Sequence, residues 1–262
     1  MAITKVLNEI IEYRELLWNL TLRDIRIRYK QSFLGMAWAL FQPLSLMVIF
    51  TFVFSKVARI DTANVPYPVF AYVGLVPWQL FSTGLMAATT SLVSNSSLVT
   101  KVYFPREVFP LAAIFSKLID FLVSISVLFA LMVYFEVSFH RTILLMPFVL
   151  IVQLTFMLGI GFILSMGNLF YRDVGYIMNV LILIWMFVTS VIYPIQTNNA
   201  LAQRILLLNP MTPIINAYRD VLLYGRVLNI PEFAPAVAIS LGTLLSGVLW
   251  FHKAEYLFAE RI

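Results

Sequence analysis

Long apolar runs, interrupted by few charged residues, constrain this chain more than any other feature. A helix needs roughly 20 mainly apolar residues to cross the hydrocarbon core of a bilayer. Six runs approach or exceed that length, at about Phe33–Phe54, Val69–Leu92, Val108–Phe135, Ile143–Phe170, Tyr176–Tyr193 and Phe233–Phe251. We therefore predict an all-α membrane protein with six transmembrane helices, formed as one domain over residues 1–262.

Composition excludes a soluble globular domain. The 262 residues are 61% hydrophobic and 12% charged, with a mean hydropathy of +0.90, whereas a soluble domain is roughly half apolar and about a quarter charged. The chain has no cysteine and only two histidines, His140 and His252, which are distant in sequence. We predict no disulfide, no metal site and no catalytic residue. The net charge of +5 indicates membrane orientation rather than nucleic-acid binding.

The placement of lysine and arginine predicts the orientation. With the N-terminus inside, the inner segments carry eleven of these residues, the outer segments carry six, and Lys117 lies within a run. Six of the eleven precede the first run, where the positive-inside bias is strongest. An even number of spans then places both termini in the cytoplasm.

Residues 1–32 are predicted to form a separate amphipathic helix at the membrane interface. Its apolar stripe consists of Val6, Ile10, Tyr13, Leu17 and Leu20. Further along, Arg23, Arg26 and Lys30 share one helical face. Asp24 and Arg28 are spaced to pair, which would contribute about 0.2–0.5 kcal/mol. The basic face either only sets orientation or contacts anionic lipid or a phosphate-bearing substrate.

Two connecting segments are long enough to have a role of their own. In Val93–Glu107, Asn95, Ser96 and Ser97 can each cap a short helix. The apolar face of this helix would consist of Leu98, Val99 and Val102, flanked by Lys101 and Arg106. An apolar face with a charged rim suits docking of a partner protein, although an ordinary cytoplasmic loop is the alternative. In residues 194–232, prolines separate short apolar pieces, which predicts either a re-entrant hairpin or helices that lie flat on the outer surface.

Ionisable residues within spans are candidates for function. Lys117 and Asp120 lie three residues apart on the third run, and we favour a self-neutralising pair over a substrate contact. Aromatic residues near the ends of runs either form interfacial belts or stack on sugar rings. The candidates for a substrate path are Tyr29, Trp38, Tyr72, Trp78 and Tyr193, together with the basic residues Arg23, Arg26 and Lys30.

Several known chemistries are missing from the sequence. No G-x-x-x-x-G-K-[ST] loop occurs, so any ATP, with its Mg²⁺, must be bound by a partner chain. The absence of H-E-x-x-H, G-x-S-x-G and clustered carboxylates disfavours a membrane-embedded enzyme. The absence of a filter motif or a ring of charge disfavours an ion channel.

Several stretches, taken in order, resemble one known family, the permease subunits of type-2 ABC exporters, in the branch that exports O-antigen, capsule and teichoic-acid polymers. The stretches are Leu22–Lys30, Phe33–Trp38 with Gln42-Pro43, Lys101–Glu107, Asn168–Val174, Asn209–Pro213 and Tyr218–Asp220. Each is weak alone, but their order around six apolar runs is specific.

The resemblance implies a homodimer of six-span subunits in the bacterial inner membrane, with two copies of a separate cytoplasmic ATPase. The implied substrate is a lipid-linked glycan. Residues 1–32 would be a gate region and residues 194–232 an outer re-entrant segment, with candidate gate residues Asn209, Pro210, Pro213, Tyr218 and Arg219. Residues 93–107 would be the coupling helix, with candidate contacts Ser97, Leu98, Val99, Lys101, Val102, Phe104 and Arg106. A permease of the same superfamily that exports drugs or small lipids is the alternative.

Overall fold

The computed structural model describes residues 11–30, 35, 37–57, 65–101, 104–194, 208–255 and 258. Every regular element in this part of the chain is a helix. In order, the α-helices are α1 (Arg14–Tyr29), α2 (Ala37–Phe50), α3 (Tyr67–Ser94), α4 (Ser96–Lys101), α5 (Val108–Tyr134), α6 (Met146–Phe170), α7 (Asp173–Val188), α8 (Met211–Leu222) and α9 (Ile230–Ala254). A π-helical turn, Thr51–Val57, extends α2, and a 3₁₀ turn, Arg141–Leu145, precedes α6.

Four helical stretches in the described residues are long and apolar enough to cross a membrane. They are α3, α5, the 3₁₀ turn with α6, and α9, which correspond to the second, third, fourth and sixth predicted runs. The first and fifth runs contain shorter apolar helices, Leu40–Phe54 and Asp173–Val188. The all-helical fold is confirmed, and the first and fifth spans stay predictions.

Helix α3 lies at the centre of the bundle. Most of its side chains are buried, and it packs along its length against α5 and α6. Pro77 lies inside α3, where proline removes a backbone hydrogen bond. The buried Gln153 of α6 donates a 2.7 Å hydrogen bond to the Pro77 carbonyl. This hydrogen bond satisfies the buried amide nitrogen of Gln153 within a largely apolar bundle.

Small residues permit the closest approaches between helices. A Cβ on Gly159 of α6 would overlap the backbone at Thr243 of α9, and a Cβ on Gly247 of α9 would overlap the Gly159 backbone. Gly161 faces Ala88 of α3. Helix association in membranes depends on such close packing, because lipid tails remove the hydrophobic drive between helices.

Helix α1 packs against α5 at the end of the bundle that the charge pattern predicts to be cytoplasmic. Its Leu20 is buried in a cluster with apolar residues from the adjacent ends of α3 to α6 and α9. The predicted pairing of Asp24 with Arg28 is wrong. Asp24 instead accepts from its neighbour Arg23 at 2.8 Å, because Arg28 points away towards α5. Residues 1–10, 31 and 32 of the predicted gate region lie outside the described residues.

Helix α8 is packed within the subunit rather than exposed along one side. Ile214, Ile215 and Val221 are fully buried, and the helix contacts α3, α6 and α9. Pro210 caps its start and Pro213 lies in its first turn, positions where a proline costs no intrahelical hydrogen bond. Residues 195–207 of the predicted outer segment lie outside the described residues. The choice between a re-entrant segment and helices that lie flat on the outer surface stays a prediction.

Candidate functional site

Three adjoining cavities, of about 230, 420 and 440 Å³, are lined in common by Lys117 of α5. We call them together the Lys117 groove. The smallest lies between the end of α1 and helices α2, α3 and α5, and the other two open along α3 towards α1 and α7. The polar residues lining the groove include Arg23, Arg28, Gln42, Gln79, Thr83, Thr90, Lys117 and Asn179.

Asp120 of α5 connects the groove to α1. It accepts a 2.6 Å hydrogen bond from Nη1 of Arg28 and a further hydrogen bond from the Tyr29 hydroxyl. Nη2 of Arg28 donates to the Ser116 hydroxyl at 2.9 Å. Burial, then the hydrogen bond to the Asp120 carboxylate, raises the pKa of Tyr29 to about 12. The phenol therefore stays a donor at neutral pH.

The predicted pairing of Lys117 with Asp120 is wrong in its assignment of partners. Both charges lie on one face of α5 as expected, but Arg28 and Tyr29 bond to Asp120. Lys117 has no ion pair or hydrogen bond within the described part of the chain. The half-buried ammonium of Lys117 lies in all three cavities, near Asp24 and Asp120 but bonded to neither in the described residues, and it can meet an anionic group.

The aromatic candidates divide into exposed and buried rings. Trp38 is 51% exposed and lines the groove. Tyr72 and Trp78 of α3 are 0% and 4% exposed, so neither ring is available to stack on a sugar. Both are core residues, and their prediction as substrate-path residues is corrected. Tyr193 lies beyond α7, where its hydroxyl donates to the Phe187 carbonyl and its ring lies near Phe54.

The basic candidates of α1 also differ in environment. Arg26 and Lys30 are exposed, whereas Arg23 is half-buried and lines the groove. Sequence analysis missed Gln42, Gln79 and Thr83, which lie on the same groove wall. The two glutamines could have been identified from the sequence, because an uncharged amide within an apolar run also needs a polar partner.

The predicted coupling segment contains a short helix, α4. Backbone N–H groups of Leu98 and Val99 donate to the Asn95 carbonyl, while the Asn95 side chain donates back to Ser91 rather than capping α4. Ser97 is exposed and Leu98 is half-buried, but Val99 and Phe104 are buried. The docking face predicted from Val99 is therefore corrected, because Val99 packs into its own subunit.

The side chain of Arg106 links separate parts of the coupling segment through hydrogen bonds. Its guanidinium donates to the carbonyls of Val99 and Phe104, both at 3.3 Å, and lies 3.6 Å from Glu255 beyond α9. This placement makes Arg106 a structural residue of the segment. Val102 and the side chain of Lys101 lie outside what the structure describes.

A hydrogen-bonded network joins the end of α7 to α8. Asn209 accepts from the Trp185 indole at 2.8 Å and donates to Thr189 at 2.9 Å. Arg219, 3% exposed, donates to the carbonyls of Ser190 and Val191, both at 2.6 Å, and its guanidinium lies 3.8 Å from the centre of the Phe70 ring. The candidates Asn209 and Arg219 therefore both bond to the segment that follows α7.

The other outer candidates have packing roles. Tyr218 is 1% exposed and its ring contacts Phe121 of α5. Tyr67 at the start of α3 donates to the Ile192 carbonyl at 2.6 Å. The loop after α7 is thus fixed from both α8 and α3.

Comparison with known proteins identifies the family of the chain. The family model described as ABC-2 type transporter matches residues 15–223. The chain is 31% identical over 260 residues to the O-antigen export system permease protein RfbA of Myxococcus xanthus, which covers 98% of this chain and 99% of that protein. It is 30% identical over 247 residues to RfbA of Klebsiella pneumoniae, covering 94% of both.

A shorter match extends the similarity to a polysialic acid transport protein. The polysialic acid transport protein KpsM of Escherichia coli is 28% identical over 109 residues, or 41% of either chain. The family match covers well over half of this chain, and the strongest relatives are similar over nearly their whole length. The chain therefore belongs to the ABC-2 type transporter family, as a transmembrane permease related to those of O-antigen export systems.

Proposed function

We propose that this chain is the channel-forming permease subunit of an ATP-driven exporter that moves a lipid-linked, O-antigen-like polysaccharide from the cytoplasm across the inner membrane. One observation carries the proposal: the Lys117 groove is a polar path along the bundle in which Arg23, Arg28 and Lys117 outnumber the acidic Asp24 and Asp120. The names of the near-full-length relatives supply the substrate class.

The chemistry of the groove suits a phosphate-linked sugar chain. The ammonium of Lys117, which has no described counterion, can bind a phosphate oxygen. Gln42, Gln79 and Thr83 offer amide and hydroxyl groups that pair with sugar hydroxyls. Trp38 adds an exposed aromatic face at the same cavity. A drug-sized apolar substrate would not need this row of polar groups.

In this proposal the functional unit is a homodimer of six-span subunits in a bacterial inner membrane, with both termini cytoplasmic. The short helices α2 and α7 would complete the six spans. On α7, Val180, Leu183 and Phe187 are exposed, which suits contact with lipid or a second copy. Reporter fusions after Arg59 and Arg141 should lie outside and fusions at residue 97 and the C-terminus inside, whereas an outside C-terminus would rule out the six-span topology.

ATP and Mg²⁺ would be bound by two copies of a cytoplasmic ATPase, and force would enter through the coupling segment. Ser97 and Leu98 are its accessible described positions. Neither cofactor has a motif in this chain.

A complementation experiment tests the function. The chain, expressed with the ATPase gene that neighbours it, is introduced into a strain that makes O-antigen but lacks its own exporter. Restored surface polymer, absent with a hydrolysis-deficient ATPase, is the expected result. If polymer stays inside while lipids or drugs are exported, the small-substrate alternative replaces this proposal.

A further inference from the structure

Three ionisable side chains converge where α5 begins and α9 ends. Glu107 precedes the first residue of α5, His252 lies in the last turn of α9, and Glu255 follows α9 directly. Nδ1 of His252 lies 3.6 Å from Oε1 of Glu107 and 3.7 Å from Oε2 of Glu255. One ligand atom from each residue falls within 4.8 Å of the others.

The buried members of this cluster lack hydrogen-bond partners. Glu107 is 0% exposed, and neither of its carboxylate oxygens has a hydrogen-bond partner among the residues that the structure describes. Nδ1 of His252 is also buried without one, since 3.6 Å is beyond hydrogen-bond distance. A buried carboxylate without such partners is costly, and a cation bound between these side chains would offset that cost.

We propose that Glu107, His252 and Glu255 form a binding site for a divalent metal ion, with Zn²⁺ as the best fit. One imidazole nitrogen and two carboxylate oxygens are ligands that Zn²⁺ accepts, at bond lengths of about 2.0–2.2 Å. In a tetrahedron of that size the ligand atoms are separated by about 3.4 Å. The two separations from His252, 3.6 and 3.7 Å, are close to this value, the two carboxylates lie within 4.8 Å of each other, and a water molecule would supply the fourth ligand.

The neighbouring Arg106 is compatible with the metal. Its guanidinium and its backbone N–H both approach Oε1 of Glu255, at 3.6 and 3.3 Å, which leaves Oε2 facing His252. The described cluster thus places two carboxylates beside one imidazole and one guanidinium, and the guanidinium lies against Glu255.

A metal at this position would fasten the end of α9 to the start of α5. Arg106 also binds the carbonyls of Val99 and Phe104. The metal would therefore rigidify the part of the bundle against which the coupling segment packs. This inference concerns metal binding and stands whether or not the proposed substrate is correct.

The test uses the full chain, purified in detergent through a tag without histidine and dialysed against chelator. Zn²⁺ is then added in competition with a chromophoric chelator, and bound metal is measured by elemental analysis. The chain has no cysteine and only two histidines, so background binding is low. We expect one Zn²⁺ per chain, and a visible spectrum of tetrahedral Co²⁺ when cobalt replaces zinc.

The half-buried ligands provide variants that are expected to fold. His252→Gln and Glu255→Gln should each weaken Zn²⁺ binding at least tenfold, while His140→Gln, the matched histidine control, should bind as the wild type does. Elution volume in size-exclusion chromatography verifies folding of each variant. Absence of stoichiometric Zn²⁺, or equal loss in the His140→Gln control, would overturn the proposal.

Discussion

Arg28 on α1 and Asp120 on α5 form a 2.6 Å ion pair across 92 residues of sequence. The pair is the main polar link between the gate region and the bundle, and it stands at the mouth of the Lys117 groove. Because the two side chains are 27% and 21% exposed, the contact is intermediate between a surface pair and a buried one.

We predict a measurable coupling energy for this pair. In a double-mutant cycle of Arg28→Ala and Asp120→Ala, thermal unfolding in detergent should give an interaction of about 1–2 kcal/mol, above the ~0.2–1 kcal/mol of exposed pairs. The exposed Arg26→Ala variant is the control and should change stability little. Strictly additive effects of Arg28→Ala and Asp120→Ala would show that the pair does not hold α1.

Lys117 is predicted to act through its charge. Lys117→Gln should lower polymer export at least about tenfold, since a hydrogen bond between charged groups contributes roughly 1.5–3 kcal/mol. Lys117→Arg, which keeps the charge, should retain most export. Export is measured as surface polymer per unit of permease in the membrane. Wild-type export by Lys117→Gln would remove the ammonium from the mechanism.

Two adjacent residues of α4 should respond differently to the same substitution. Leu98→Asp should leave the subunit folded but weaken its binding to the ATPase, because Leu98 is half-buried and reaches the surface. Val99→Asp should lower the yield of folded permease, because Val99 is 1% exposed and a buried carboxylate costs several kcal/mol. Co-purification with the ATPase separates the two effects. Unchanged ATPase binding and export in Leu98→Asp would exclude α4 as the coupling contact.

Alanine substitution of two glycines tests the packing of the loop after α7. A Cβ at Gly74 would overlap the Val191 carbonyl and the Arg219 guanidinium, so Gly74→Ala should destabilise the protein by about 1–3 kcal/mol. Gly242 has nothing within 4 Å of its Cβ position, so Gly242→Ala should be neutral or slightly stabilising. The melting temperatures of the two variants in detergent test this contrast, and equal shifts would contradict the described packing.

The sequence predicted most of the helices because their apolar runs are long and uninterrupted. The bounds of α3, α5 and α9 match the predicted second, third and sixth runs to within a few residues. The fifth run gave a shorter helix, and Thr189 after α7 adopts an extended backbone. Helix α2 of the first run continues through Pro43 into the π-helical turn, and residues 33, 34 and 36 of that run lie outside the described residues.

The site was less predictable, because its contacts join residues distant in sequence. Spacing correctly placed Lys117 and Asp120 on one face, but only the packing of α1 on α5 shows that Arg28 takes Asp120. Hydropathy likewise cannot separate a belt tyrosine from a core tyrosine, and Tyr72 is in the core. Within the Glu107–His252–Glu255 cluster only the spacing of His252 and Glu255 was a local signal, because Glu107 comes from the other half of the chain.

The central claim is that the glycan passes through the Lys117 groove. The most direct test places a photo-cross-linking amino acid at Thr83, which lines two of the three cavities. The matched control is Leu122 on α5, which is 58% exposed and does not line the groove. Both variants are irradiated in cells that make the polymer, together with a hydrolysis-deficient ATPase that traps substrate. We predict a glycan-bearing product at Thr83 and none at Leu122, and none at either position in cells that lack the polymer. Labelling of Leu122 but not Thr83, or of neither, would contradict the claim.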